Sequence, residues 1–260
     1  MDNNIEKFFT GKYFKIPYYQ RDYAWEITHV DDLIEDIFEA IETNTSHYIG
    51  TFILSNPNNE DVYNVVDGQQ RLTTLIMLFN AVINQLDNPD EQVINRDKYI
   101  QSVTDEGRWK LELLNDNNHF FQDLLSVDEL KDHNTKSQQR LLKAFHHIKD
   151  RIRSLKDPGS KIQSKDFLSA MSKLDVMEFT ESDDGKAIRM FQTVNDRGKP
   201  LSNMEKAKSL LIYYSNRFLE GALDSYINSS FGEIFQLFSE IKDIGVENNI
   251  NVISNRRFDE

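Results

Sequence analysis

Val62-Tyr63-Asn64-Val65-Val66-Asp67-Gly68-Gln69-Gln70-Arg71-Leu72-Thr73-Thr74-Leu75-Ile76 is the stretch on which the fold turns. It begins with β-branched and aromatic residues, the composition of a strand. From Leu72 onward, through Leu75, Ile76, Phe79, Val82, Ile83 and Leu86, the apolar positions keep the period of a helix. A strand passing through Asp67-Gly68 directly into a long helix predicts an α/β (α+β) protein. The turn itself carries chemistry. Gly68 permits a tight bend and close backbone approach, and the helix offers its unpaired N–H groups and positive dipole end just beyond. Arg71 adds a cation there. Asp67, closing the strand, suits a magnesium ion held against phosphates or an oriented water, and Gln69 and Gln70 are potential hydrogen-bond donors. The plainer reading is that Asp67 only caps the helix.

Working outward, residues 48–54 form a second β-rich segment, separated from the first by Asn56-Pro57-Asn58-Asn59, so the two predict a β-hairpin. Before it, Val30, Leu33, Ile34, Ile37, Phe38 and Ile41 mark an amphipathic helix expected to pack on a sheet. Residues 12–17 read as a short strand entering Tyr18-Tyr19-Gln20-Arg21-Asp22-Tyr23-Ala24-Trp25, whose aromatics read as core and pocket wall. Downstream, Trp109, Leu111 and Leu113 alternate like a strand, and Leu141, Phe145, Ile148, Ile152 and Leu155 mark a helix that Asp157-Pro158-Gly159 ends. A short helix over 167–171, a strand over 174–179 and a helix near 186–194 follow. Asn195-Asp196-Arg197-Gly198-Lys199-Pro200-Leu201 is a loop, and Ser202 with Glu205 forms a capping box for a helix reaching about Leu219. The division expected is an α/β part over 1–88 and a helix-rich remainder over 89–260, sharing one site.

Composition excludes several classes. With no cysteine among 260 residues there is no disulfide framework, thiolate metal site or thiol nucleophile. The first residues lack a signal-peptide pattern and no apolar run reaches the roughly 20 residues that span a bilayer, so a cytoplasmic protein without membrane association is expected. A net charge of −13 argues against bulk attraction to nucleic acid and leaves only local phosphate contacts. His146 and His147 point about 100° apart on a helix and read as surface residues rather than joint metal ligands. The run Glu181-Ser182-Asp183-Asp184 reads as a solvated loop.

Three polar clusters, at Gln20-Arg21, at Asp67 to Arg71 and at Asn195 to Leu201, suggest one converging site. Four stretches carry a resemblance in the same order: residues 16–25, Tyr48-Ile49-Gly50-Thr51, Val66-Asp67-Gly68-Gln69-Gln70-Arg71-Leu72-Thr73-Thr74-Leu75, and 191–201 with Lys208. Together they resemble the GmrS-like N-terminal domain of GmrSD-type restriction enzymes. The resemblance covers roughly residues 8–83 and 186–212. It implies a fold similar to ParB and sulfiredoxin, and binding and hydrolysis of a nucleoside triphosphate in bacterial defence against phage DNA.

Carried over by residue, the resemblance places Asp67, Gln70 and Arg71 in catalysis, Asp67 also on the magnesium. It places Gln20, Arg21, Gly68, Gln69, Asn195, Arg197 and Gly198 in nucleotide binding. It further implies a modified-DNA target and a C-terminal nuclease domain or partner subunit, and leaves a homodimer open. This chain shows no His-Asn-His nuclease, and its ending suggests a piece of a longer protein. The competing reading is a non-catalytic ParB-like sensor of DNA or of a partner. A nuclease acting through Asp67 itself ranks last, because the motif supplies only one carboxylate.

Overall fold

The computed structural model describes residues 3–127, 133–156 and 160–195, with scattered positions between 204 and 241. Two compact units divide the chain, Met1–Ser182 and Asp183–Glu260. In the first, strands β1 (Tyr13–Lys15), β2 (Tyr48–Ser55), β3 (Val62–Asp67), β4 (Leu111–Glu112) and β5 (Asp175–Glu181) form one sheet of order β4-β1-β3-β2-β5. Its helices are α1 (Ile5–Phe9), α2 (Ile27–Thr43), α3 (Gln69–Ile83), α4 (Pro89–Tyr99), α5 (Asp116–Ser126), α6 (Lys136–Arg153) and α7 (Ser164–Lys173). In the second unit, α8 spans Asp184–Asn195, and the Asp183 carboxylate accepts from the Lys186 N–H at its start. The mixed α+β class read from the sequence is the one the chain adopts.

The predicted hairpin is present, with β2 and β3 antiparallel through Leu54↔Val65 and Ser55↔Asn64. Asn56 closes its turn: the side-chain amide donates to the Glu60 carbonyl at 2.8 Å and accepts from the Glu60 N–H at 3.1 Å. On the other side β2 pairs in parallel with β5, while β3 runs parallel to β1 and β1 to β4. Two register slips interrupt β2. One falls between Tyr48 and Thr51 against β5, the other between Ile53 and Leu54 against β3. Such bulges bend a ladder locally and re-aim side chains beside them.

Helix α3 buries every residue from Gln69 to Ile83 except Arg71, and it packs on α4, α6 and α7. A helix apolar or neutral on all sides belongs in the middle of a core. One hydrophobic cluster runs from Ile5 to Val176 and joins sheet and helices of the first unit. Within it α1 inserts Phe8 and Phe9: Phe8 stacks on Phe14 at 4.8 Å and lies 4.6 Å from Phe52 between ring centroids.

The expectation that α2 lies on the sheet needs correction, because its apolar stripe packs chiefly on α6 and α7. Phe38 meets Phe167 edge-on at 5.1 Å. Ion pairs at Glu26–Arg140 and Glu35–Arg151, with a hydrogen bond between Asp31 and His147, line the α2–α6 seam. Both series of numbers rise together, so the two helices run parallel. His147 therefore has a partner in Asp31, 2.7 Å away, whereas His146 is exposed. The alternation at 109–113 yields only the two-residue β4, with Trp109 in an isolated bridge to Gln101.

Among the described residues no helix is long and apolar enough to cross a membrane. The stop at Asp157-Pro158-Gly159, the loop from Asp196 to Leu201, and the capping box of Ser202 with Glu205 lie outside the described residues.

Candidate functional site

Asp67 is the last residue of β3, Gly68 the turn and Gln69 the first residue of α3. Gly68 has φ +90°, and a Cβ placed on it would lie 2.4 Å from Phe52 Cδ1. Both facts restrict this position to glycine. The short turn holds a carboxylate and a guanidinium on either side of a helix start. Burial pushes the Asp67 carboxyl above its ordinary range, while the Gly68 N–H and the charges of Arg71 and Arg21 pull it back. Burial likewise pushes the Arg71 guanidinium down, opposed by Asp67.

Arg71 is seated by β2. Its Nη1 donates to the Thr51 carbonyl at 3.2 Å, and its guanidinium sits over the Phe52 ring at 5.4 Å from the centroid. Gly50 makes the space. A Cβ there would stand 2.9 Å from Arg71 Cζ, and its φ of +109° falls within the first register slip of β2. The second slip lies at Ile53, the residue paired with Asp67. The first bulge thus abuts the Arg71 guanidinium, and the second lies beside the main chain of Asp67.

The loop over residues 20–25 is fastened to the same turn. Gln20 Nε2 donates to the Val66 carbonyl at 2.6 Å. Gln70 accepts from the Ala24 N–H at 2.7 Å and donates to the Asp22 carbonyl at 3.0 Å. The amides of Gln20 and Gln70 therefore position the loop. They leave Arg21 exposed and within electrostatic reach of Asp67. Tyr23 is buried, its hydroxyl 2.9 Å from Thr74 Oγ1, and burial raises its pKa. Tyr18 is exposed, outside the pocket wall expected of it.

Gln69 faces a recess on the loop side of the turn, lined also by Arg21, Asp22, Tyr23, Asn117 and Ser137. The recess is narrow, with room on the order of one or two water molecules. Asn195 ends α8 in the second unit, and Arg197 and Gly198 lie outside the described residues. The residues missed by sequence reasoning are Phe52, Asn117, Ser137 and, as the seat of Arg71, Gly50. Gly50 lay inside a motif already singled out, and a glycine in the middle of a β-rich run signals a bulge or close approach. Asn117 and Ser137 gave no such signal.

A magnesium ion commonly uses one or two carboxylates plus phosphate oxygens. Asp67 fits that minimum, since its carboxylate is half-buried beside the helix start. Among curated proteins no sequence matches the chain. The family model for the GmrSD restriction endonuclease, N-terminal domain, matches residues 5–212 and so takes in the loop, the turn and the recess. The chain accordingly belongs to the GmrSD N-terminal domain family, and with it to the proteins of restriction defence.

Proposed function

We propose that the Asp67 to Arg71 turn binds and hydrolyses a nucleoside triphosphate, and that this hydrolysis regulates restriction of modified foreign DNA. The observation that carries the reading is the opposed carboxylate and guanidinium, both withdrawn from water, at a helix start where only glycine fits. With a net charge of −13 the chain has no general attraction for phosphate. A local cation at a helix N-terminus supplies one. Arg71 and Arg21 meet the phosphates in this reading, and the main-chain N–H groups after Gly68 approach them closely.

Asp67 would hold a magnesium ion, which would supply charge neutralisation to the phosphates. A water oxygen bonds to the terminal phosphorus as the bridging P–O bond breaks, and Asp67 orients that water. Gln20 and Gln70 act as positioning residues. The family resemblance assigns Asn195, Arg197 and Gly198 to nucleotide binding as well. DNA cleavage falls to a C-terminal nuclease domain or partner subunit.

The test is phosphate release from ATP, GTP, CTP and UTP with magnesium, comparing the chain with Asp67→Ala and Arg71→Ala variants shown to be folded. Removing one preorganised group of this kind costs on the order of 100-fold in rate. Loss of that size in both variants supports the reading. Absence of both turnover and nucleotide binding in the unaltered chain would replace it with the ParB-like sensor, in which the turn contacts backbone phosphate without chemistry.

A further inference from the structure

Glu26, Asp31 and Glu35 each meet a basic or imidazole side chain of α6. Asp36 and Glu39 do not. Three positions apart on α2, they share one face of the helix, and among the described residues their carboxylates have no lysine or arginine partner. They gather instead with His47, the residue just before β2. One ligand atom from each of the three lies within 4.8 Å of the other two. Like charges at this spacing repel. The negative end of the α2 dipole follows within about two turns, and the last turn has no basic residue to balance it. A cation relieves both.

The donor set narrows which cation. Carboxylate oxygens alone suit magnesium or calcium, whereas an imidazole nitrogen beside them shifts the preference to zinc and its first-row neighbours. His47 Nε2 lies 3.3 Å from Asp36 Oδ1. Two ligands at about 2.0–2.1 Å from a tetrahedral zinc stand about 3.3–3.4 Å apart, so this pair already has the spacing of one edge of the coordination shell. Glu39 is exposed and reaches the ion by turning about its own side-chain bonds, while Asp36 and His47 are half-buried. The frame under them is fixed. Two ligands ride on a helix, and the His47 carbonyl accepts from the Asp175 N–H of β5 at 2.9 Å.

We infer that Asp36, Glu39 and His47 bind one divalent transition-metal ion of the zinc class, with the fourth position left to water, and that this ion staples the last turns of α2 to the head of β2. The site uses no residue of the Asp67 to Arg71 turn, so it stands or falls without the triphosphate reading. Its mechanical effect is on β2, the strand whose Gly50 and Thr51 seat Arg71.

Zinc alone is the probe, titrated by calorimetry into the metal-free full chain and into its His47→Ala, Glu39→Gln and His146→Ala variants. The last alters an exposed histidine of α6 as a control. The expected result is one zinc per chain, not displaced by a large excess of magnesium and unchanged in His146→Ala. In His47→Ala and Glu39→Gln the affinity falls at least about tenfold, the loss that even an outer-shell partner gives. Thermal melts run in parallel. Zinc raises the midpoint of the unaltered chain and of His146→Ala and leaves that of His47→Ala where it is, a difference that a plain contact between His47 and Asp36 does not produce. Zinc affinity undiminished in either His47→Ala or Glu39→Gln, displacement of zinc by magnesium, or no zinc bound at all overturns the inference.

Discussion

Gly68 and Gly50 show how little room the site has. Alanine at Gly68 meets both an unfavourable φ and the Phe52 ring, and the two penalties together amount to roughly 2–5 kcal/mol. Denaturant melts should show that loss. Alanine at Gly50 instead pushes on the far end of a flexible side chain, Arg71. Its stability loss is expected nearer 1–3 kcal/mol, with a larger share of the effect in triphosphate affinity. A Gly50→Ala chain with wild-type affinity would show that the seat of Arg71 is immaterial. Asp67 makes a pH prediction with two signs. Its carboxyl is raised above the ordinary value of 3.8, so magnesium-dependent binding that needs the carboxylate fails, as pH falls, at a higher pH than an exposed aspartate would give. The native state holds that proton more tightly than the unfolded chain, so this group favours the fold as pH falls through the raised pKa and disfavours it above. Binding titrated against pH, with Asp67→Asn removing the acid limb, checks the first. At this scale the turn was legible because glycine and a helix start adjoin in sequence. Asn117 and Ser137 were not, because only folding brings α5 and α6 to Gln69.

Elements with a strong period and length enough to show it, α2, α3 and α6, were readable from the chain, as were the hairpin strands flanking four turn formers. The shorter β1, α7, β5 and α8 were read as well, whereas α1 and α4 had physical reasons to hide. Helix α4 buries only Tyr99, so its sequence has almost no stripe, although Asn88 caps it and Pro89 opens it. Helix α1 has five residues, below the length at which its period repeats. What holds α4 is tertiary. Phe79 and Tyr99 stack with centroids 3.9 Å apart, and Arg96 Nη1 donates to Asn80 Oδ1 at 3.0 Å. Burial pushes the Arg96 guanidinium down, so its acceptor matters. Asn80→Leu keeps the volume and removes that acceptor, and is expected to cost about 1–3 kcal/mol in thermal or chemical melts. A neutral result would mean that the guanidinium finds water instead.

For the whole molecule, the core cluster from Ile5 to Val176 lies inside the first unit, Met1–Ser182. A chain ending at Ser182 is therefore expected to fold and melt cooperatively. It keeps Asp67, Arg71 and the recess and loses Asn195, Arg197 and Gly198. Because Asp67, Arg71 and Arg21 all stay, the shortened chain is expected to keep triphosphate binding within about tenfold of the whole chain, or about 1.4 kcal/mol, by titration calorimetry. Loss of binding in a folded Met1–Ser182 chain would overturn the placement of the site at the Asp67 to Arg71 turn.

The fastening of the 20–25 loop has one further consequence, for how this sequence can drift. Gln20 and Gln70 each bond to main-chain groups, at Val66, Asp22 and Ala24. Main chain is nearly the same whatever residue bears it, proline excepted. The constraint is thus one-sided: the two glutamines resist exchange, while the positions they grip can change without loosening the clasp, so long as Ala24 keeps its N–H.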